Sequence, residues 1–171
     1  MIDMTRSLRP YTGNDRPVLL DMMVKHFNYH RALNSAPEEY WEDGATAAQT
    51  LDGWDPETTV YLILDEQTPV GFVRLRKGGH DAAWLEDLYV SEHHRGKGIG
   101  SEAMGLLDAM LKGDGTTALF VDVAIRNVEA LAFYQGCGFD HLNMVQLRKN
   151  YDKRLDKEED VEVLGFRFRR Y

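Results

Sequence analysis

Between Thr58 and Gly100 the chain lays out three strand-like runs joined by short turns, then a loop with glycine at alternate positions, then an amphipathic stretch. The runs are Thr58–Leu64, Val70–Arg76 and Ala82–Val90, separated by Asp65-Glu66-Gln67-Thr68 and Lys77-Gly78-Gly79. Connections this short admit only antiparallel neighbours. Downstream the pattern changes to helix (Ser101–Leu111), strand (Thr116–Val123), helix (Val128–Gln135) and strand (His141–Lys149), with a terminal strand over Val161–Phe168. Upstream, Leu8–Tyr11 reads as a first strand, and Thr12-Gly13-Asn14-Asp15 supplies turn and N-cap chemistry. Leu19, Met22, Met23, His26 and Phe27 then recur at helical spacing to about Arg31. Ser35-Ala36-Pro37-Glu38 predicts a capping box opening a second short helix, in a region that Gly44 and Gly53 break into pieces. The order is mixed α and β, an antiparallel half followed by βαβ connections.

At 171 residues the chain matches one domain at about 150 residues per domain, with no internal repeat. The net charge of −8 is uneven. From Arg148 onward there are eight Lys and Arg against six Asp and Glu, whereas residues 1–146 hold 12 bases and 22 acids. An acidic body of this kind argues against a nucleic-acid binder, which needs cations to displace counterions. No apolar run approaches the roughly 18 residues of a membrane span, and Met1–Arg6 carries no signal-peptide pattern. A lone cysteine, Cys137, cannot form an internal disulfide, so the expected compartment is the cytoplasm.

Leu85-Glu86-Asp87-Leu88-Tyr89-Val90, the spacer Ser91–His94, and Arg95-Gly96-Lys97-Gly98-Ile99-Gly100 form a strand, a glycine loop and a helix start. Glycines let backbone N–H groups approach an anion, and the helix N-terminus adds positive potential. Two familiar phosphate loops fail here. A dinucleotide fingerprint needs glycine at position 101, which is Ser101, and a Walker loop needs Ser or Thr after Gly96-Lys97, where Gly98 stands. The pattern R-x-x-G-x-G at Arg95–Gly100 resembles the GCN5-related N-acetyltransferase (GNAT) family. Arg126-Asn127-Val128-Glu129-Ala130 through Tyr134, followed by Gly138-Phe139, resembles that family's N-x-x-A-x-x-x-Y…G-F segment. The resemblance spans about residues 58–149.

It implies an α/β (mixed α+β) fold: a central, mostly antiparallel mixed sheet of about seven strands, flanked by about four helices and splayed at strands 4 and 5. Residues 1–171 would form one acetyltransferase domain, with an acetyl-CoA-binding core at about 82–140 and a C-terminal strand extension at about 150–171. The implied reaction is direct transfer of acetyl from acetyl-CoA to an amine in a ternary complex, with no metal. Arg95, Gly96, Lys97, Gly98, Ile99, Gly100 and Ser101 would hold the pyrophosphate. The backbone of Leu88, Tyr89 and Val90 would hold the pantetheine arm and the oxyanion, and Asn127 would cap the last helix and contact the same arm. Tyr134 is the implied acid towards the thiolate.

Glu86 is the candidate base, directly or through water, because it shares a strand face with Leu88 and Val90. Asp87, on the opposite face, is a candidate for substrate binding or for pairing with Arg74 or Arg76. From Ala32 to Glu57 there are seven carboxylates and no Lys or Arg. With Glu38, Tyr40 and Trp41 as candidate contacts, and Trp54 as a further cation–π surface, this stretch suits a small cationic acceptor such as a polyamine, amino sugar or aminoglycoside-like amine. The string L-E-D-L-Y-V also resembles polyamine and small-amine acetyltransferases. A protein N-terminus or lysine as acceptor, or a regulatory acetyl-CoA-binding domain without turnover, stays open, as does a homodimer through the late strands. His26 and His30 have i, i+4 spacing without a third ligand, which assigns them to the helix surface or core.

Overall fold

The computed structural model describes residues 6–79 and 81–171; the N-terminal residues read for a leader pattern lie, apart from Arg6, outside it. Two compact units are distinguished, one from residues up to Tyr29 together with Glu42–Asp122, the other from His30–Trp41 together with Val123–Tyr171.

The first unit is built on a five-stranded sheet in the order β1-β2-β3-β4-β5. Its strands are β1 (Arg6–Pro10), β2 (Thr58–Asp65), β3 (Thr68–Gly78), β4 (Ala82–Val90) and β5 (Ala118–Val121). The first four are antiparallel neighbours, while β5 joins β4 in parallel after the crossover through α3 (Ile99–Gly113). The β4–β5 register runs only from Ala82↔Ala118 to Leu85↔Val121. Beyond Leu85, β4 continues for five residues with no β5 neighbour, so the sheet is splayed at the expected place.

Helix α1 (Arg16–Leu33) buries Leu19, Met22, Met23 and His26, the i, i+3, i+4, i+7 stripe. Helix α2 (Gly44–Asp52) adds Ala47, and together with Leu62, Leu64, Phe72 and Tyr89 these form the hydrophobic cluster on one sheet face. Close approach of β3 and β4 demands glycine at position 71: a Cβ there would stand 2.1 Å from the Tyr89 carbonyl oxygen and 3.1 Å from Ile63 Cδ1. Gly71→Ala is expected to destabilise the fold by about 1–3 kcal/mol, because one strand must shift to relieve the contact. Urea unfolding checks it.

The second unit holds α4 (Val128–Gly136) and a hairpin of β6 (Asp160–Val163) and β7 (Phe166–Arg169). Three expectations are corrected. The Ser35–Glu38 capping box does not open a helix: Glu38–Tyr40 is a single 3-10 turn. There Trp41 Nε1 donates to the Ala36 carbonyl at 3.1 Å and Arg31 Nε to the Tyr40 carbonyl at 2.8 Å, so side chains satisfy groups a helix would have used. The helix starts instead at Gly44, where Asp43 and Thr46 exchange N-cap hydrogen bonds of 2.8 and 2.7 Å. Residues 141–149 form no strand, and Leu142, Met144 and Leu147 are exposed. The terminal strand is a hairpin, because Leu164 and Gly165 both take positive φ, 52° and 83°, and reverse the chain between Val163 and Phe166. In place of one sheet of about seven strands, the described residues hold a five-stranded sheet and a separate two-stranded one.

Candidate active site

Glu86 and Asp87 are consecutive on β4, where strict alternation sends side chains to opposite faces. The β3–β4 register, however, passes from Arg74↔Asp87 to Leu75↔Leu85 and skips Glu86. This bulge brings both carboxylates within reach of the arginines of β3. Arg76 Nε donates to Glu86 Oε1 at 2.6 Å, and Arg74 Nε donates to Asp87 Oδ2 at 2.6 Å. Arg74 Nη2 stays 4.0 Å from Glu86 Oε2. His26 Nε2 lies 3.1 Å from Asp87 Oδ1, so both Asp87 oxygens are engaged. Burial pushes the Asp87 carboxyl up, but the hydrogen bonds and charges of His26 and Arg74 outweigh it and hold the group below the usual carboxylate range. Glu86 is the more open of the two, 27% exposed against 8%.

The arginines rest on aromatic faces, Arg74 at 4.5 Å from the Trp54 ring centroid and Arg76 at 4.5 Å from that of Trp84. Trp54 was expected to offer its ring to a cationic substrate; Arg74 already covers it.

After β4, Ser91 N–H donates to the Val70 carbonyl and a 3-10 turn over Glu92–His94 leads into the glycine loop. Arg95 Nε donates to the Val90 carbonyl at 2.9 Å, with its guanidinium 5.5 and 5.7 Å from the Tyr29 and Tyr89 rings. Gly96 and Gly98 have φ of 71° and 77°, which side-chain-bearing residues rarely adopt. Gly98 is the N-cap of α3 and supplies no side-chain cap to the first-turn N–H groups of the helix. Strand end, left-handed glycines and uncapped helix start thus converge in one anion-receptive loop with Lys97 exposed on it.

In the second unit, Asn127 is buried and its Oδ1 accepts from Ala130 N–H at 3.1 Å, capping α4. Gly138, at φ 94°, turns the chain so that Phe139 N–H donates to the Tyr134 carbonyl and its ring meets Tyr134 edge-on at 5.4 Å. This gives the G-F pair its structural reason. Glu38, Tyr40 and Trp41 lie in and beside the 3-10 turn, with Tyr40 and Trp41 exposed.

The acetyltransferase (GNAT) family model matches residues 27–139, about two thirds of the sequence. The chain belongs to the GNAT family. Among curated relatives of this GNAT chain, YobR of Bacillus subtilis (strain 168), an uncharacterized N-acetyltransferase, is 32% identical over 90 residues, covering 52% of the chain and 35% of YobR. The streptothricin acetyltransferase of Escherichia coli is 27% identical over 88 residues, covering 52% of the chain and 51% of that protein. The aligned part spans between a third and a half of the length of these two. An acetyltransferase from Thermus thermophilus has 30% identity and a TM-score of 0.64, covering 83% of the chain and 91% of that structure. PaiA N-acetyltransferase of Thermoplasma acidophilum, solved in complex with coenzyme A, shares the fold at 19% identity and a TM-score of 0.62, covering 78% and 88%.

Within this GNAT chain, the sequence located the loop, the strand end and the α4 cap. It did not connect His26 to Asp87. The available signal was a histidine on an otherwise apolar helix stripe, which needs a buried polar partner. Of the acidic stretch, Asp52 pairs with Arg16, Asp43 caps α2, Asp55 accepts from Glu57 N–H, and Glu39 lies 3.5 Å from Arg154. No group of three His, Cys, Asp or Glu among the described residues has metal-site geometry, and no described helix is long and apolar enough to cross a membrane.

Proposed function

We propose that this chain is an acetyl-CoA-dependent N-acetyltransferase that moves the acetyl group directly to a primary amine of a small cationic acceptor. The observation that carries the reading is the run of β4 past its last β5 partner, Leu85, into a left-handed glycine loop at the uncapped start of α3. The residues fit the cosubstrate: Gly96 and Gly98 take left-handed φ of 71° and 77° at an α3 start whose N-cap supplies no side-chain acceptor, the backbone setting in which N–H groups bind an anion. When bound, acetyl-CoA supplies the thioester that the amine attacks. Loop N–H groups from Gly96 to Ser101 then hold phosphate, with Arg95 and Lys97 at the rim. The β5-facing backbone edge of Leu88–Val90 would pair with the pantetheine arm and offer N–H groups to the thioester oxygen, and Asn127 would contact the same arm. Glu86 takes the amine proton through Oε2 or a water, and Tyr134 gives a proton to the leaving thiolate. The acceptor class is supported by the surplus of carboxylates over Ala32–Glu57, with Glu38, Tyr40 and Trp41 as contacts, and by a streptothricin acetyltransferase among the relatives.

Thiol release from acetyl-CoA, measured with polyamines, aminoglycosides, amino acids and peptides, tests this. Turnover with cationic small amines is the expected result. Preference for peptides moves the acceptor to proteins, and binding of acetyl-CoA without release from any acceptor overturns the enzymatic reading. Gly98→Ala is expected to weaken acetyl-CoA binding about tenfold by calorimetry, since an L-residue at φ 77° costs about 1–2 kcal/mol and distorts the loop.

A further inference from the structure

A carboxylate that takes a proton from an amine works poorly when two guanidinium groups close on it. β3 presents two arginines to β4; both stand within ion-pair distance of Glu86, but only Arg76 donates a hydrogen bond to it. Arg76 Nε holds Oε1 at 2.6 Å, whereas the nearest Arg74 nitrogen stands 4.0 Å from Oε2. Three contacts keep Arg74 back. Its Nε is tied to Asp87 Oδ2 at 2.6 Å, its guanidinium lies over the Trp54 ring at 4.5 Å, and Asp87 is itself anchored through Oδ1 to His26 Nε2 at 3.1 Å. Asp87 and His26 are each 8% exposed. A carboxylate with polar partners buried this deeply is seldom the cheapest way to stabilise a core, since apolar residues of similar volume serve as well or better. The network instead ends beside the one half-open carboxylate of the strand.

We propose that His26, Asp87, Arg74 and Trp54 form a positioning network that holds Arg74 at ion-pair distance and keeps it from closing to a hydrogen bond with Glu86 Oε2, the oxygen that takes the proton. The proposal rests on the acetyltransferase reading of the site. His26 and Trp54 hold the restraint, Asp87 applies it, and none of them is a catalytic residue.

Asp87→Asn loosens the hold, so Arg74 closes on Glu86. With the best amine of the thiol-release panel, the expected result is a loss of about tenfold in kcat with the KM for acetyl-CoA unchanged. Asp87→Asn combined with Arg74→Met removes the misplaced guanidinium and regains most of that loss. A purely structural role predicts the opposite, a double variant worse than the single one, and that result overturns the proposal, as does full kcat in folded Asp87→Asn. Trp54→Leu frees Arg74 without unpairing a buried charge, so it keeps the test usable if Asp87→Asn does not fold: a severalfold loss of kcat, regained with Arg74→Met, is expected, and full kcat overturns the proposal.

A second readout needs no acceptor. In ¹H–¹⁵N spectra of the arginine Nε–H groups, Asp87→Asn or Trp54→Leu moves the Arg76 resonance, which reports on Glu86, and Arg74→Met returns it. An Arg76 resonance that stays in place overturns the network. If no amine is acetylated by the wild-type chain, the acetyltransferase reading fails, and the spectra still decide whether Arg74 is restrained.

Discussion

Glu86→Gln is expected to lower kcat by about two orders of magnitude, the lower part of the range for a general base and about 3 kcal/mol in the barrier. Acetyl-CoA affinity should stay within about twofold, because the loop that would hold the phosphates begins nine residues later, at Arg95. Glutamine keeps the length of the side chain and still offers an oxygen to Arg76 Nε, so the geometry at Oε1 is preserved while proton acceptance is lost. Steady-state thiol release measures kcat and calorimetry measures binding. A variant with wild-type kcat would move the base elsewhere and leave the carboxylate as the structural partner of Arg76. A variant that lost binding as well would show that the bulge, and not the proton acceptor, had been damaged.

The second large effect concerns the floor of the same strand pair. Phe72 is fully buried, faces Tyr89 at 5.9 Å between ring centroids and meets His26 edge-on at 5.7 Å. Phe72→Ala is expected to cost about 3–5 kcal/mol, the lost transfer free energy plus the cavity left among Leu19, Met23 and Leu62. At about 2–4 °C per kcal/mol for a chain of this size, the melting temperature should fall by roughly 6–20 °C. Differential scanning calorimetry checks it, and a fall of only a degree or two would mean that α1 collapses onto the sheet to fill the space.

Much of the arrangement was legible locally. Ala82–Val90 is a strand with the ends read from its pattern, and α4 begins at Val128 behind the Asn127 cap as expected. The glycine loop could be read because positive φ leaves a residue-type signature, and the α1 stripe because burial follows a 3.6-residue period. Where expectation failed, a distant partner decided. Alternating apolar residues at 141–149 are compatible with a strand, but a strand exists only where a neighbour supplies hydrogen bonds. Ser35–Glu38 has the composition of a capping box, yet Trp41 and Arg31 satisfy the backbone of that turn and the helix starts behind Asp43.

The sequence by itself determined the order of the elements as far as α4, the loop and the residue types that could bind an anion or move a proton, because each depends on neighbours within a few positions. Only the tertiary structure decided how the two carboxylates of β4 divide their contacts. The bulge at Glu86 is a property of the β3–β4 register, and the pairing of His26 with Asp87 spans 61 positions. Such contacts are set by packing a whole helix on a whole sheet, and no short window of sequence encodes them.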